Sequence, residues 1–161
     1  MRILSKAFFF LSLAFFSIHN ATAQKTPNKK PVATQQKFKP PKLHTSLSTY
    51  QDSVVVPVEV AENLLSMPLK IYDDKKTEYI VSSYQFMYKK RTVTEDEKTG
   101  QVSPASSIVA NRFRVTPLPQ MWIDQVGQQI KSGEELYFFD VIAKDAEGRI
   151  MFASNLKIIT Q

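Results

Sequence analysis

The side chains best suited to chemistry in this chain are three carboxylates near its C-terminal end, Asp140, Asp145 and Glu147. Two carboxyl groups facing each other across a cleft would suit glycoside hydrolysis, and a cluster of such oxygens would suit calcium. Asp145-Ala146-Glu147-Gly148 is also the composition of a tight turn, in which aspartate bonds its own backbone and glycine supplies a positive φ. That turn, with Asp140 at the end of a strand, accounts for all three without catalysis. Glu95-Asp96-Glu97 reads as a solvated loop before it reads as a cation site. The two histidines, His19 and His44, both fall ahead of the expected folded region, which leaves no acid–base imidazole and no Ser-His-Asp triad inside it. The chain has no cysteine, which removes disulfides, thiolate nucleophiles and zinc ribbons. It has neither a glycine-flanked nucleophile elbow nor a phosphate loop. No cofactor and no metal are expected, and the chemistry available points to binding or scaffolding.

The candidate contact residues are Trp122 and two basic groups. Trp122 is the only tryptophan; exposed, it would anchor a partner, and buried, it would pack a helix on a sheet. Arg112 and Arg114 flank Phe113, and with Lys89, Lys90 and Arg91 they would make a basic and aromatic patch if the two segments are adjacent strands. The same residues would otherwise be the polar outer row of a sheet.

The elements that would position these groups are mostly strands. Val54 to Val60 is rich in β-branched residues and reads as an edge strand, because Pro57 cannot donate to a ladder. Met67 to Tyr72 is a second strand, closed by Asp73-Asp74-Lys75-Lys76. From Glu78 the chain alternates, and Ile80, Ser82, Tyr84, Phe86 and Tyr88 make the face expected to point into the core. Ser107 to Val115 is the next strand, stopped by Thr116-Pro117-Leu118-Pro119, with Thr116 a possible cap. Met121, Trp122, Ile123, Val126 and Ile130 recur at steps of three and four, which predicts a helix over about 119–132 with Gly133 at its C-terminal end. Leu136 to Ala143 and Arg149 to Ile159 then form a hairpin. The fold class expected is an antiparallel β domain with one inserted helix.

The N-terminal residues carry address and tether. Arg2 and Lys6 precede an apolar run from Ala7 to Ile18, and Ala21-Thr22-Ala23 matches a signal-peptidase site, so residues 1–23 read as a signal peptide cut between Ala23 and Gln24. The run is shorter than the roughly 20 residues a membrane span needs, so no transmembrane anchor is expected. No cysteine follows for lipid attachment. Export without an anchor points to the periplasm, or beyond it to the cell exterior, and the lack of cysteine suits a bacterial source. Residues 24–45 hold six lysines, four prolines and no acid, the composition of a semi-stiff disordered linker. Such a linker could touch anionic envelope polymers; with Phe38 its only aromatic residue, it lacks the stacking groups of a nucleic-acid arm. The remaining 46–161 would be one domain, nearly neutral, since only 13 of the 21 basic residues (21 − 2 − 6) face its 15 acids.

Four segments together carry a resemblance. Tyr79-Ile80-Val81-Ser82-Ser83-Tyr84, Asn111-Arg112-Phe113, Ile130-Lys131-Ser132-Gly133-Glu134-Glu135-Leu136-Tyr137-Phe138 and Asp145-Ala146-Glu147-Gly148-Arg149 follow one another over about 78–160. In order and spacing this span resembles the C-terminal domain of the gliding-motility and type IX secretion protein GldM. The resemblance implies an immunoglobulin-like β-sandwich that meets an outer-membrane or other envelope protein. It does not imply motor function, because the transmembrane helix, coiled region and further periplasmic domains of that family are missing, as is its glycine, asparagine and proline motif. Two functions follow as expectations: an exported interaction protein, or a small-ligand or glycan module that uses Tyr and Trp faces over a groove.

Overall fold

The structure, a computed structural model, describes residues 38–161; the expected signal peptide and linker residues 24–37 lie outside the described residues. The described chain is mainly β, with strands β1 (Leu43–Leu47), β2 (Tyr50–Gln51), β3 (Ser53–Val56), β4 (Leu69–Asp73), β5 (Glu78–Glu95), β6 (Val102–Phe113), β7 (Glu135–Lys144), β8 (Ile150–Phe152) and β9 (Leu156–Thr160). Two helices interrupt them, α1 (Val58–Leu65) and α2 (Gln120–Gly127). One sheet runs β2-β1-β4-β5-β7-β9-β3, with β6 joined to β5 and β8 to β7. Its two end strands, β2 and β3, are separated in the chain only by Asp52, so the sheet comes round nearly to closure. All pairs are antiparallel except β3 with β9, which correct the expectation of a wholly antiparallel sheet.

Several expected boundaries move, each for a local reason. The strand expected over residues 54–60 ends at Val56: Pro57 closes the ladder and its carbonyl accepts the amides of Val60 and Ala61, starting a helix instead. Ala61, Leu64 and Leu65 then give α1 its buried side, so the domain has two helices where one was expected. Leu43, His44 and Thr45, assigned to the linker from composition, form β1 against β4. The helix expected over about 119–132 is shorter; after Gly127 a turn accepted by the Val126 carbonyl carries Ile130 into the core. Thr116 caps nothing, and its hydroxyl accepts the amide of Leu69. The return strand breaks at residues 153–155 into β8 and β9.

The alternation of β5 also changes phase. Its register with β7 shifts between Val81 and Ser83 and again between Ser83 and Gln85, the second shift meeting Asp140, which has φ of 47°. Tyr84, Phe86 and Tyr88 are buried as expected, but Ile80 is turned out to solvent at 67% exposure. The core gathers Phe86 and Phe138, with ring centroids 4.9 Å apart, and Trp122, which meets Phe86 and Phe113 edge-on.

One polar group is buried in the junction between α2 and β7. Glu134 is 1% exposed; its carboxylate accepts the Tyr88 hydroxyl, the Arg91 amide at 3.1 Å and the Lys131 amide at 2.9 Å. Its own amide donates to the Thr160 hydroxyl at 2.9 Å, and Thr160 returns its amide to the Glu134 carbonyl at 3.0 Å. Gly133, with φ of 82°, makes the entry turn, and a Cβ there would run into the Arg91 side chain. Glu134→Ala would leave the buried Tyr88 hydroxyl and the part-buried amides of Arg91 and Lys131 without their acceptor, and is expected to lower unfolding free energy by about 3 kcal/mol in urea titrations. Glu135→Ala, one residue on and facing outward, is expected to lower it by about 1 kcal/mol or less; equal losses would contradict this division.

Candidate interaction surface

The pleat of β5 and β6 divides the expected contact residues. Register places Lys89, Arg91 and Arg112 on the outer face of the sheet, whereas Phe113 turns inward. Lys90 reaches Gln129 beyond α2 at 3.2 Å, and Arg114 is exposed just past the end of β6. Phe113 and Trp122 are 7% and 9% exposed and belong to the core, so Trp122 packs its helix on the sheet, the second of its two readings, and Phe113 adds no aromatic ring to an outer patch. Lys89 is drawn to Glu135 at 3.4 Å, and Lys157 meets the other oxygen of that carboxylate at 2.9 Å. The Lys157 ammonium, with Lys89 adding to it, holds the Glu135 carboxyl below the usual range against the opposing effect of burial.

The carboxylates singled out for chemistry are engaged by the turn. Asp145 accepts the amides of Glu147 and Arg149 at 3.0 and 2.9 Å and the Arg149 Nε at 2.6 Å. Burial alone would push the Asp145 carboxyl up, but these bonds together hold it below its ordinary value. Glu147 meets the same guanidinium at 2.7 Å, and Asp140 accepts the Gln85 amide group across the β5–β7 ladder. Asp96 caps its own hairpin tip through the amides of Lys98 and Thr99. Among the described residues no three His, Asp or Glu side chains are grouped to hold a metal. His44 lies in the folded part after all, on β1, 2.8 Å from Asp74.

The outer face is more apolar than the sequence reading expected. Ladder partners Ile80, Lys144 and Ile150 form one row across β5, β7 and β8, and Ile142 and Phe152 form another beside it. Ile80, Ile150 and Phe152 are 67%, 64% and 72% exposed. Nearby on the same face of β7, Tyr137 and Phe139 stack at 5.2 Å, with Asn155 donating to the Tyr137 hydroxyl at 2.8 Å. Ile150 and Phe152 were missed because Ile150-Met151-Phe152 is a continuous apolar triplet that hides its alternation; only Met151 turns in. Ile80 was missed because the β5 register shifts are not visible in sequence. A cleft of about 330 Å³ adjoins this face, lined by Phe38, Tyr79, Ile80, Lys144, Arg149 and Met151, with the Arg149 guanidinium 3.9 Å above the Phe38 ring.

Compared with known proteins, the chain matches no family model and no curated protein.

The ionisable groups set a pH window for stability. The amide of Thr77 is the leading cause that holds the Asp73 carboxyl low, and Glu135 and Asp145 are held low as above. Groups depressed in the folded state stabilise it above their unfolded values of about 4, and that stability is lost as pH falls through the folded values. Burial raises the phenols of Tyr84 and Tyr88, the latter helped by Glu134, so their contribution is present below about pH 10 and lost as pH rises above it. The thermal midpoint is therefore expected to be flat between about pH 5 and 9 and to fall on both sides. A midpoint at about pH 3 or pH 11 as high as that between about pH 5 and 9 would contradict these assignments.

Proposed function

We propose that this chain is a non-enzymatic, exported interaction or scaffold protein of the bacterial cell envelope, whose partner is an envelope or outer-membrane protein. The observation that carries the reading is the patch of Ile80, Ile150 and Phe152, from two neighbouring rows, standing in solvent on one sheet face. Large apolar side chains grouped on adjacent strands lose contact with water when a second protein covers them, and contiguous apolar surface of this kind marks interaction sites. Lys144 within the patch, and the Lys89, Glu135 and Lys157 group beyond it, supply the polar surround that fixes orientation. The resemblance to the GldM C-terminal domain supports a role alongside gliding motility or type IX secretion, in the periplasm or outside the cell. An immunoglobulin-like sandwich belongs to the same reading: β5 leaves β4 after Tyr79 and takes up β6 from Tyr84, so one long strand passes from one partner to the next along its length. The lysine-rich segment ahead of the domain would lie against anionic envelope polymers.

The cleft beside the patch favours a second reading, a small-ligand or glycan module. It pairs the rings of Phe38 and Tyr79 with Arg149 and Asp145, and its volume is at the low end of ligand pockets.

The test uses the purified chain as bait on solubilised envelope, beside a variant carrying Ile150→Ser and Phe152→Ser. Both positions are exposed, so folding stability should change by only about 0.5 kcal/mol. An envelope protein captured by the parent and lost with the variant is the expected result. Capture indifferent to these substitutions would sink the patch as the docking site. Retention on immobilised glycans, with no protein captured, would move the cleft to the front.

A further inference from the structure

Among the described residues β6 pairs with β5 alone, so its other edge has no strand beside it from Val102 to Phe113. The edge is long and exposed at all but two positions, Ala105 and Phe113. Proteins usually blunt such an edge with charges, prolines or a covering loop, because its free backbone groups are a template for another strand. Here Arg112 is the only charged residue and Pro104 the only proline along the strand. The ladder of β5 with β7 ends at Lys89, while its ladder with β6 continues to Glu95, so the two strands run on as a ribbon beyond the rest of the sheet.

The two ends of this edge carry opposite charge. Glu95 and Glu97 stand at the hairpin tip, next to the start of β6, and Arg112 and Arg114 at its finish. All four are exposed, and none is in an ion pair with another described residue. Asp96 is occupied by the amides of its own turn, and Lys98 is the single cation of the tip.

We propose that β6 pairs antiparallel with β6 of a second copy of this chain, about a two-fold axis near Ser107. Reversal of one strand against its twin lays the acidic end of each copy on the basic end of the other, twice per dimer. With Ser107 on the axis, Val102 faces the second copy's Arg112. Glu95 is the ladder partner of Val102 in β5, so Glu95, Val102 and the second copy's Arg112 share one row and one face. Strands about 4.8 Å apart put that carboxylate and guanidinium within reach over a single intervening residue. The contact is self-complementary and closes at two copies, and the backbone groups of both edges find partners. It uses the opposite side of β5 from β7 and β8, so the Ile150 and Phe152 face stays free, and the dimer stands or falls independently of the proposed function.

Sedimentation of the chain, expressed from its full sequence and purified, tests this with two charge reversals, Arg112→Glu with Arg114→Glu and Glu95→Lys with Glu97→Lys. All four side chains are exposed, and circular dichroism checks that each variant is folded. The parent is expected to show a concentration-dependent dimer at or below about 100 μM. Each variant alone, with like charges at both ends of the edge, is expected to dimerise at least about tenfold more weakly. An equimolar mixture of the two is expected to regain the dimer, because every acidic end again meets a basic one. A parent that stays monomeric, a single variant that dimerises as well as the parent, or a mixture that fails to associate would each overturn the proposal.

Discussion

The rest of the structure depends on the buried carboxylate of Glu134. A carboxylate taken out of water is tolerated only where donors replace its hydration, and here Tyr88 of β5, the Arg91 amide and the Lys131 amide do so. Those donors lie on β5 and on the link from α2, while the backbone of Glu134 is tied to Thr160 at the end of β9. One residue therefore fastens three separate parts of the chain, and it fixes the phase of β7. With Glu134 inward, Leu136 and Phe138 must be core, and Glu135, Tyr137 and Phe139 must face out. A one-residue slip would place Glu135 inside without donors and would turn Phe138 into water. The outward residues of β7 up to Phe139 are a consequence of this junction, and the register shift at Asp140 sets those beyond it.

Two surfaces stand beyond this junction, and they lie on different sides of β5. The ladder through β7 and β8 presents Ile80, Ile150 and Phe152 as an apolar face, and the ladder through β6 presents a long bare edge. The apolar side chains suit a protein partner that excludes water. The edge, acidic at one end and basic at the other, suits its own copy. The proposed scaffold role would call for surfaces that do not compete, and these two share no residue.

Much of the fold was legible in the residues, and the failures have identifiable causes. The polar tip around Glu95 to Gly100, the turn at Asp145 to Gly148 and the aromatic inward face of β5 were readable because turn chemistry and strict alternation are local signals. The helix α1 was not: Val54 to Val60 has β-branched residues on both sides of Pro57, and the proline, read as an edge-strand residue, proved to be a helix start. Strand β1 was hidden by the lysines and prolines ahead of it, since Leu43 to Leu47 gains its burial only from β4. Trp122 had two readings, and only the packing of Phe86 and Phe113 around it decides between them. The exposed face was the least legible part, because the β5 register shifts that turn Ile80 outward arise between strands and leave no mark in composition. Glu134 itself had a signal: alternation counted back from Phe138 and Leu136 places it inside, and its neighbour Glu135 outside.

Hydrogen exchange of individual amides tests the Glu134 junction most directly, comparing the parent chain with Glu134→Gln. The account predicts that the amides of Arg91 and Lys131, which donate to that carboxylate rather than to a ladder, are among the slowly exchanging class in the parent. In the variant they should lose protection selectively while the central amides of β5 and β7 keep theirs. Arg91 and Lys131 amides that already exchange at the rate of an open loop in the parent would show that the carboxylate does not hold the three segments together.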